Sequence, residues 1–241
     1  MGKLIQLSKP KEFKIQNISK EKAEIIIYDQ IGKNFWGDGI SAEDFSNELA
    51  KIPSSVNLID VRINSPGGSV FEGYTIYNRL KQHKATIHVY IDGMAASIAS
   101  VIAMAGDKVK MARTSQLMIH KPMTWTAGDS NEHMKAIERL DAIENQIIKV
   151  YREKTKMDYI EIQEMVAKET WFMADKALNH GFVDEIIDVE DEVKAAAFFS
   201  MEKMLPSAAW IRNKPEIGNY NKEIKNKVTN LTKEIEGFLA R

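Results

Sequence analysis

The chain has 241 residues, no cysteine and a formal net charge of −1, with 44% hydrophobic and 28% charged residues. These values describe a soluble globular protein able to bury a real core, as one domain with an appendage or as two small domains. They exclude a disulfide framework, a cysteine nucleophile and thiolate metal sites, and they give no global attraction to nucleic acid or to an anionic membrane. Residues 1–11 are positive but carry no apolar stretch of signal-peptide length, and no apolar run approaches membrane-spanning length, so a cytoplasmic location is expected.

In chain order, residues 1–22 are polar and lysine-rich and read as an N-terminal arm or edge strand. Ile25, Ile26 and Ile27 mark a short strand. Ser41 starts a helix, because an acid, Asp44, follows three residues after a capping serine, with Phe45, Leu49 and Ile52 on one face. Residues 57–64 form a strand that ends in Asn64-Ser-Pro-Gly-Gly68, a run of strong turn chemistry. A helix over 70–82 follows, with Tyr74, Tyr77 and Leu80 inward. A strand over 85–91 then stops at small residues, and Ser97 opens an apolar helix that ends at Gly106.

Residues 108–111 and 116–119 are short strands. Residues 131–153 form the longest helix, with Met134, Ile137, Leu140, Ile143, Ile147 and Tyr151 on one stripe and a strongly polar opposite face. Asp158 caps another helix, and a short helix over 174–180 stops at Gly181. Strands alternating with helices give an α/β class with largely parallel strands. After Asp184 the composition turns acidic. Residues 222–240 then carry Ile224, Val228, Leu231, Ile235 and Phe238 at heptad spacing, a helical C-terminal extension over 191–241.

Chemistry concentrates in three segments. A serine at the start of an apolar helix puts a hydroxyl among unpaired N–H groups at the positive end of the helix dipole. Ser97 by itself also reads as an ordinary cap. His120 closes a strand and is turned away by Pro122; the other histidines, 83, 88, 133 and 180, sit in settings that suit structural or solvated roles. The Gly67–Gly68 pair lets a ligand approach backbone N–H groups closely. Serine, histidine and a glycine loop together are the parts of a nucleophile, its base and an oxyanion hole.

The segments Ile63-Asn-Ser-Pro-Gly-Gly68, Gly93-Met-Ala-Ala-Ser97 and Met118-Ile-His120-Lys-Pro122 resemble, in order and spacing, those of the Clp protease proteolytic subunit, ClpP. The likeness runs from about Ile25 to Ile187 and closes on Ala177-Leu-Asn-His-Gly-Phe-Val-Asp184. It implies a ClpP/crotonase-like fold of repeated β-β-α units with a long handle helix, and a protease domain over 23–190. It implies Ser97 as nucleophile, His120 as general base, and Gly68 and Ile98 as oxyanion-hole donors. The family's aspartate falls on Glu169, a departure that a Ser-His-Glu triad can absorb; Asp175 is the alternative third member. Ser69, Val70 and Met123 would flank a substrate peptide added as a strand. Trp125 either joins them or packs on the core or a neighbouring subunit.

No metal or cofactor is implied. The partners implied are protein or peptide substrates and further copies of the chain in a ring, as a heptamer or a stacked double ring; neither nucleic acid nor membrane is expected. The Glu169-Thr-Trp variant and the long extension look like phage-encoded ClpP-related proteases of prohead maturation, whose partners would be capsid or scaffold proteins. The segment 1–22 does not match the family's pore-lining start, which speaks against an unfoldase partner. A housekeeping ClpP working with an ATP-dependent unfoldase, a non-catalytic ring protein of the same fold, and a crotonase-like acyl-CoA enzyme are the competing readings.

Overall fold

A computed structural model of the chain describes residues 13–17, 19–33 and 39–188. The heptad extension over 191–241 lies outside the described residues. Eight strands and six helices alternate along the described chain: β1 (Phe13–Asn17), β2 (Lys22–Ile27), α1 (Ala42–Leu49), β3 (Leu58–Ser65), α2 (Val70–Lys81), β4 (Thr86–Ala96), α3 (Ile98–Ala103), β5 (Lys108–Ala112), β6 (Gln116–Ile119), α4 (Ser130–Thr155), α5 (Tyr159–Ala167), β7 (Thr170–Met173), α6 (Ala174–Asn179) and β8 (Glu185–Ile187). No helix among the described residues is long and apolar enough to cross a membrane.

The main sheet runs β1-β2-β3-β4-β5-β8. Its strands are parallel from β2 to β8, and β1 is an antiparallel edge on β2. Parallel neighbours need crossovers, and α1, α2 and α3 supply them. Strand burial alternates as a sheet with one covered face requires. On β2, Ala23, Ile25 and Ile27 are buried while Lys22, Glu24 and Ile26 are partly exposed. The buried side meets Phe45 and Leu49 of α1, Ile76 and Leu80 of α2, and the wholly buried α3.

The opposite face of the sheet is polar and internally paired. Lys22 bonds Asp60, Arg62 grips Asp92 through both oxygens of its carboxylate, and Tyr28 donates to Asp92. The guanidinium of Arg62 and the ammonium of Lys110 each lie 5.3 Å from the centre of the Tyr90 ring. Period-two alternation on β3 and β4 puts these groups on one side.

Two elements depart from the sequence reading. The small residues Gly93–Ala96 do not end the strand: β4 continues to Ala96. Ladder pairing there outweighs the weak strand preference of glycine and alanine. The stripe of α4 also divides. Ile147 and Tyr151 are buried, but Met134 and Ile137 near the N-terminal end are exposed. Most of the packing on its own domain comes from the C-terminal half, Ala136 being the one buried residue nearer the N-terminus.

Candidate active site

β4 is shared between two partners. His88 to Ile91 pair with β5, whereas Met94 to Ala96 pair in parallel with Gln116 to Met118 of β6. The strand therefore forks, and the end of β6 lies beside the end of β4. The N–H of Ser97 donates to the carbonyl of Met118 at 3.0 Å, which fixes the height of the serine against β6. On its other edge β6 pairs antiparallel with β7, Met118 opposite Trp171 and Ile119 opposite Thr170. One more step of that register sets His120 against Glu169. Three residues far apart in sequence are thus brought together by two short ladders.

The contacts follow. Ser97 Oγ lies 2.8 Å from His120 Nε2, a hydrogen bond in which the neutral imidazole accepts the hydroxyl proton when Nδ1 carries the hydrogen. His120 Nδ1 faces Glu169 Oε2 at 3.9 Å, an ion-pair distance longer than a hydrogen bond. Burial lowers the pKa of His120 below its ordinary value, and the Glu169 carboxylate acts in the opposite direction. The histidine is therefore a neutral base at pH 7.

Ser97 has φ 55° and ψ −129°, a region that L side chains rarely adopt. The turn presents its hydroxyl at the head of α3 instead of tucking it back as a cap, and the side chain makes no capping hydrogen bond. Glu169 also has a positive φ, 49°, at the junction of α5 and β7. Strained positions of this kind cluster at functional sites.

The glycine loop lies directly over the serine. Ile31 N–H donates to the Gly67 carbonyl and Ser69 N–H donates to the Ile31 carbonyl, each at 2.8 Å, and Gly67 N–H donates to Ser65 Oγ at 3.1 Å. The loop is held on three sides. At Gly67, φ is 90°, and an added Cβ would lie 2.7 Å from Ser97 Cβ and 3.1 Å from Ile98 N. Only glycine permits this approach. The N–H groups of Gly68 and Ile98 have no hydrogen-bond partner among the described residues. They adjoin the close approach of Gly67 to Ser97 in sequence, and free N–H groups of this kind can donate to a developing oxyanion.

Of the residues expected to flank a substrate, Ser69 is exposed ahead of α2, Val70 packs partly on the core, and Met123 is exposed. Trp125 is 92% exposed and so does not face the core. Asp175 is not beside the histidine: its carboxylate is 3.7 Å from Arg113 on the surface. Glu169, not Asp175, faces His120. The other histidines lie elsewhere; His83 Nδ1 accepts from Ala85 N–H, and His180 Nδ1 donates to the Lys176 carbonyl.

Some contacts have no counterpart in the sequence reading. Trp171 Nε1 donates to Glu169 Oε1 at 3.2 Å. Beneath the serine, Ser100 Oγ donates to the Ser97 carbonyl at 2.6 Å and meets Tyr151 OH at 2.7 Å. Tyr151 is fully buried, which pushes its phenol above the usual range. Lys121, next to His120, pairs with the buried Glu144 of α4 at 3.1 Å. A tyrosine on an apolar helix stripe was the one available signal, since a buried phenol needs a partner. No group of three or more His, Asp and Glu side chains among the described residues is placed to hold a metal ion.

Comparison with known proteins accords with this geometry. The Clp protease family model matches residues 11–190. The ATP-dependent Clp protease proteolytic subunit of Streptococcus pneumoniae (strain Hungary19A-6) is 34% identical over 137 residues, which is 55% of this chain and 70% of the relative. The same subunit from the strain ATCC BAA-334 / TIGR4 matches equally. Among solved structures, a point mutant of ClpP1 from Listeria monocytogenes superposes with a TM-score of 0.60 at 28% identity, covering 71% of this chain and 94% of that one. With the family model spanning most of its length, the chain belongs to the Clp protease family and is a ClpP-like serine endopeptidase.

Proposed function

We propose that Ser97, His120 and Glu169 form the catalytic triad and that the enzyme, assembled as a homo-oligomeric ring, cuts capsid or scaffold proteins during prohead maturation. The observation that carries the peptidase reading is the 2.8 Å contact between Ser97 Oγ and His120 Nε2, together with two N–H groups, of Gly68 and Ile98, without a partner among the described residues. His120 takes the serine proton as Oγ attacks the peptide carbonyl. The N–H groups of Gly68 and Ile98 hold the oxyanion, and His120 then protonates the leaving amine. Water repeats the sequence on the acyl-enzyme. Glu169 holds the imidazole in its reactive tautomer and balances the imidazolium.

The substrate lies between Ser69 and Val70 on one side and Met123 on the other. Among the described residues, the backbone of 121–127 makes no backbone hydrogen bond, which suits strand addition by an extended peptide. The exposed Met123, Trp125, Met134 and Ile137 suit contact with further copies of the chain.

The capsid reading is supported by the glutamate at the triad's third position and by the long segment beyond residue 190. The likeness to ATP-dependent Clp protease proteolytic subunits favours a second reading, an ATP-dependent peptidase working in the cytoplasm with an unfoldase. One experiment separates the two. Purified protein is incubated with a fluorophosphonate and with a capsid precursor, with and without an ATP-driven unfoldase. Labelling of Ser97 and ATP-independent cleavage of the precursor at discrete sites support the first reading. Cleavage only with the unfoldase and ATP supports the second. Absence of label on Ser97 refutes both.

A further inference from the structure

We infer that Trp171 is a positioning residue for Glu169: its indole N–H holds one carboxylate oxygen so that the other faces His120. The inference rests on the triad reading given above. Antiparallel pairing puts Trp171 opposite Met118, two residues beyond the point where Glu169 meets His120. Glu169 is the turn residue just ahead of β7, and its left-handed backbone brings the carboxylate to the indole two residues on. Trp171 Nε1 is 3.2 Å from Glu169 Oε1, and Glu169 Oε2 is 3.9 Å from His120 Nδ1. The two oxygens thus have separate partners.

The carboxylate needs a holder. Its side chain is 58% exposed, so burial does not confine it. The methylene that distinguishes it from aspartate adds a rotatable bond, whose freedom must be lost each time the acid meets the imidazole. Among the described residues no other group bonds this side chain. The backbone at Glu169, in the left-handed region, aims the side chain but does not set its outer torsions. Trp171 itself is half-exposed, and the edge of its indole that carries the N–H meets the acid. Thr170, between them, points the other way and donates to the Met165 carbonyl.

Phenylalanine at position 171 keeps the ring and removes the N–H. The test is the second-order rate of Ser97 labelling by a fluorophosphonate, followed across pH in the full chain, in W171F, in E169A and in the double variant. Among the described residues, the groups acting on His120 are few: Glu169 from the turn before β7, and Lys121 beside it in sequence, whose ammonium is engaged by Glu144 of α4. W171F is expected to slow labelling about tenfold on the pH plateau, as loss of a hydrogen bond to a charged group does. Its acid limb moves to lower pH, because a wandering carboxylate supports the imidazolium less. In the E169A background W171F has no further effect. Wild-type rate and limb in W171F overturn the inference. Equal slowing by W171F in both backgrounds also overturns it, because the ring would then act by packing. A wild-type protein unlabelled at Ser97 would instead refute the triad reading.

Discussion

Neutralising Glu169 gives two observables that move in ways no unfolding defect reproduces. The carboxylate lies 3.9 Å from His120 Nδ1. Two unit charges at about 4 Å interact by about 1 kcal/mol in water and about 4 kcal/mol at an effective dielectric constant near 20. The side chain of Glu169 is more exposed than buried, which places the pair toward the weaker end, about 2 kcal/mol. That charge pair exists only once His120 is protonated, in the transition state, so its loss falls on kcat. About 2 kcal/mol corresponds to about 30-fold. Glu169→Gln is therefore expected to lower kcat about 30-fold, and Glu169→Ala about 100-fold or more, because the tautomer is then also unguided. KM for a fluorogenic peptide is unchanged. The acid limb moves the other way from a simple loss of base. Glu169 raises the pKa of His120, so removing the charge lets the imidazole stay neutral to still lower pH. The measurement is kcat against pH for wild type and both variants. An unchanged plateau, or a limb displaced to higher pH, refutes the assignment.

Ser97→Ala is expected to abolish fluorophosphonate labelling and peptide hydrolysis while leaving the oligomeric state unchanged by sedimentation. Ser97→Gly, equally inactive, should be more stable than Ser97→Ala by about 1 kcal/mol in denaturant unfolding, because glycine accepts φ 55° and ψ −129° without strain. Gly68→Ala should cut kcat about 100-fold, since its Cβ would lie 2.1 Å from the Ile31 carbonyl oxygen and the loop must withdraw its N–H from the oxyanion; retained kcat would place the oxyanion hole elsewhere. Tyr151→Phe should cost about 1–2 kcal/mol of stability by leaving Ser100 Oγ with one partner fewer in a buried site, with a smaller effect on kcat; a neutral result in chemical denaturation would show that the hydroxyl is dispensable.

The parts of this site that were legible in the sequence are those carried by local chemistry. Ser41 caps α1 and accepts from Asp44 N–H, and Asp158 caps α5 and accepts from Ile160 N–H, as the residue spacing indicates. The Asn-Ser-Pro-Gly-Gly turn, the serine opening α3 and the histidine closing β6 were readable for the same reason. What depends on long-range register was not. The extension of β4 through Gly93–Ala96 follows from a ladder with β6, twenty residues away in sequence, and nothing in the small residues announces it. The position of the acid required a family comparison; only the pairing of β6 with β7 explains why Glu169 rather than Asp175 meets the imidazole. The indole on the carboxylate follows from that pairing in turn. On α4, a regular stripe signalled a buried face but could not tell which half of it is buried within the chain.

The fork in β4 has a mechanical consequence. His120 directly follows β6 and Glu169 directly precedes β7, so both stand at the same end of one four-residue ribbon. Ser97 belongs to the main sheet. Among the described backbone hydrogen bonds, the split between them is crossed by the short pairing of Met94, Ala95 and Ala96 with β6 and by the bond from Ser97 N–H to the Met118 carbonyl. The contact between base and nucleophile therefore spans the fork, whereas the contact between base and acid lies at the end of the ribbon itself.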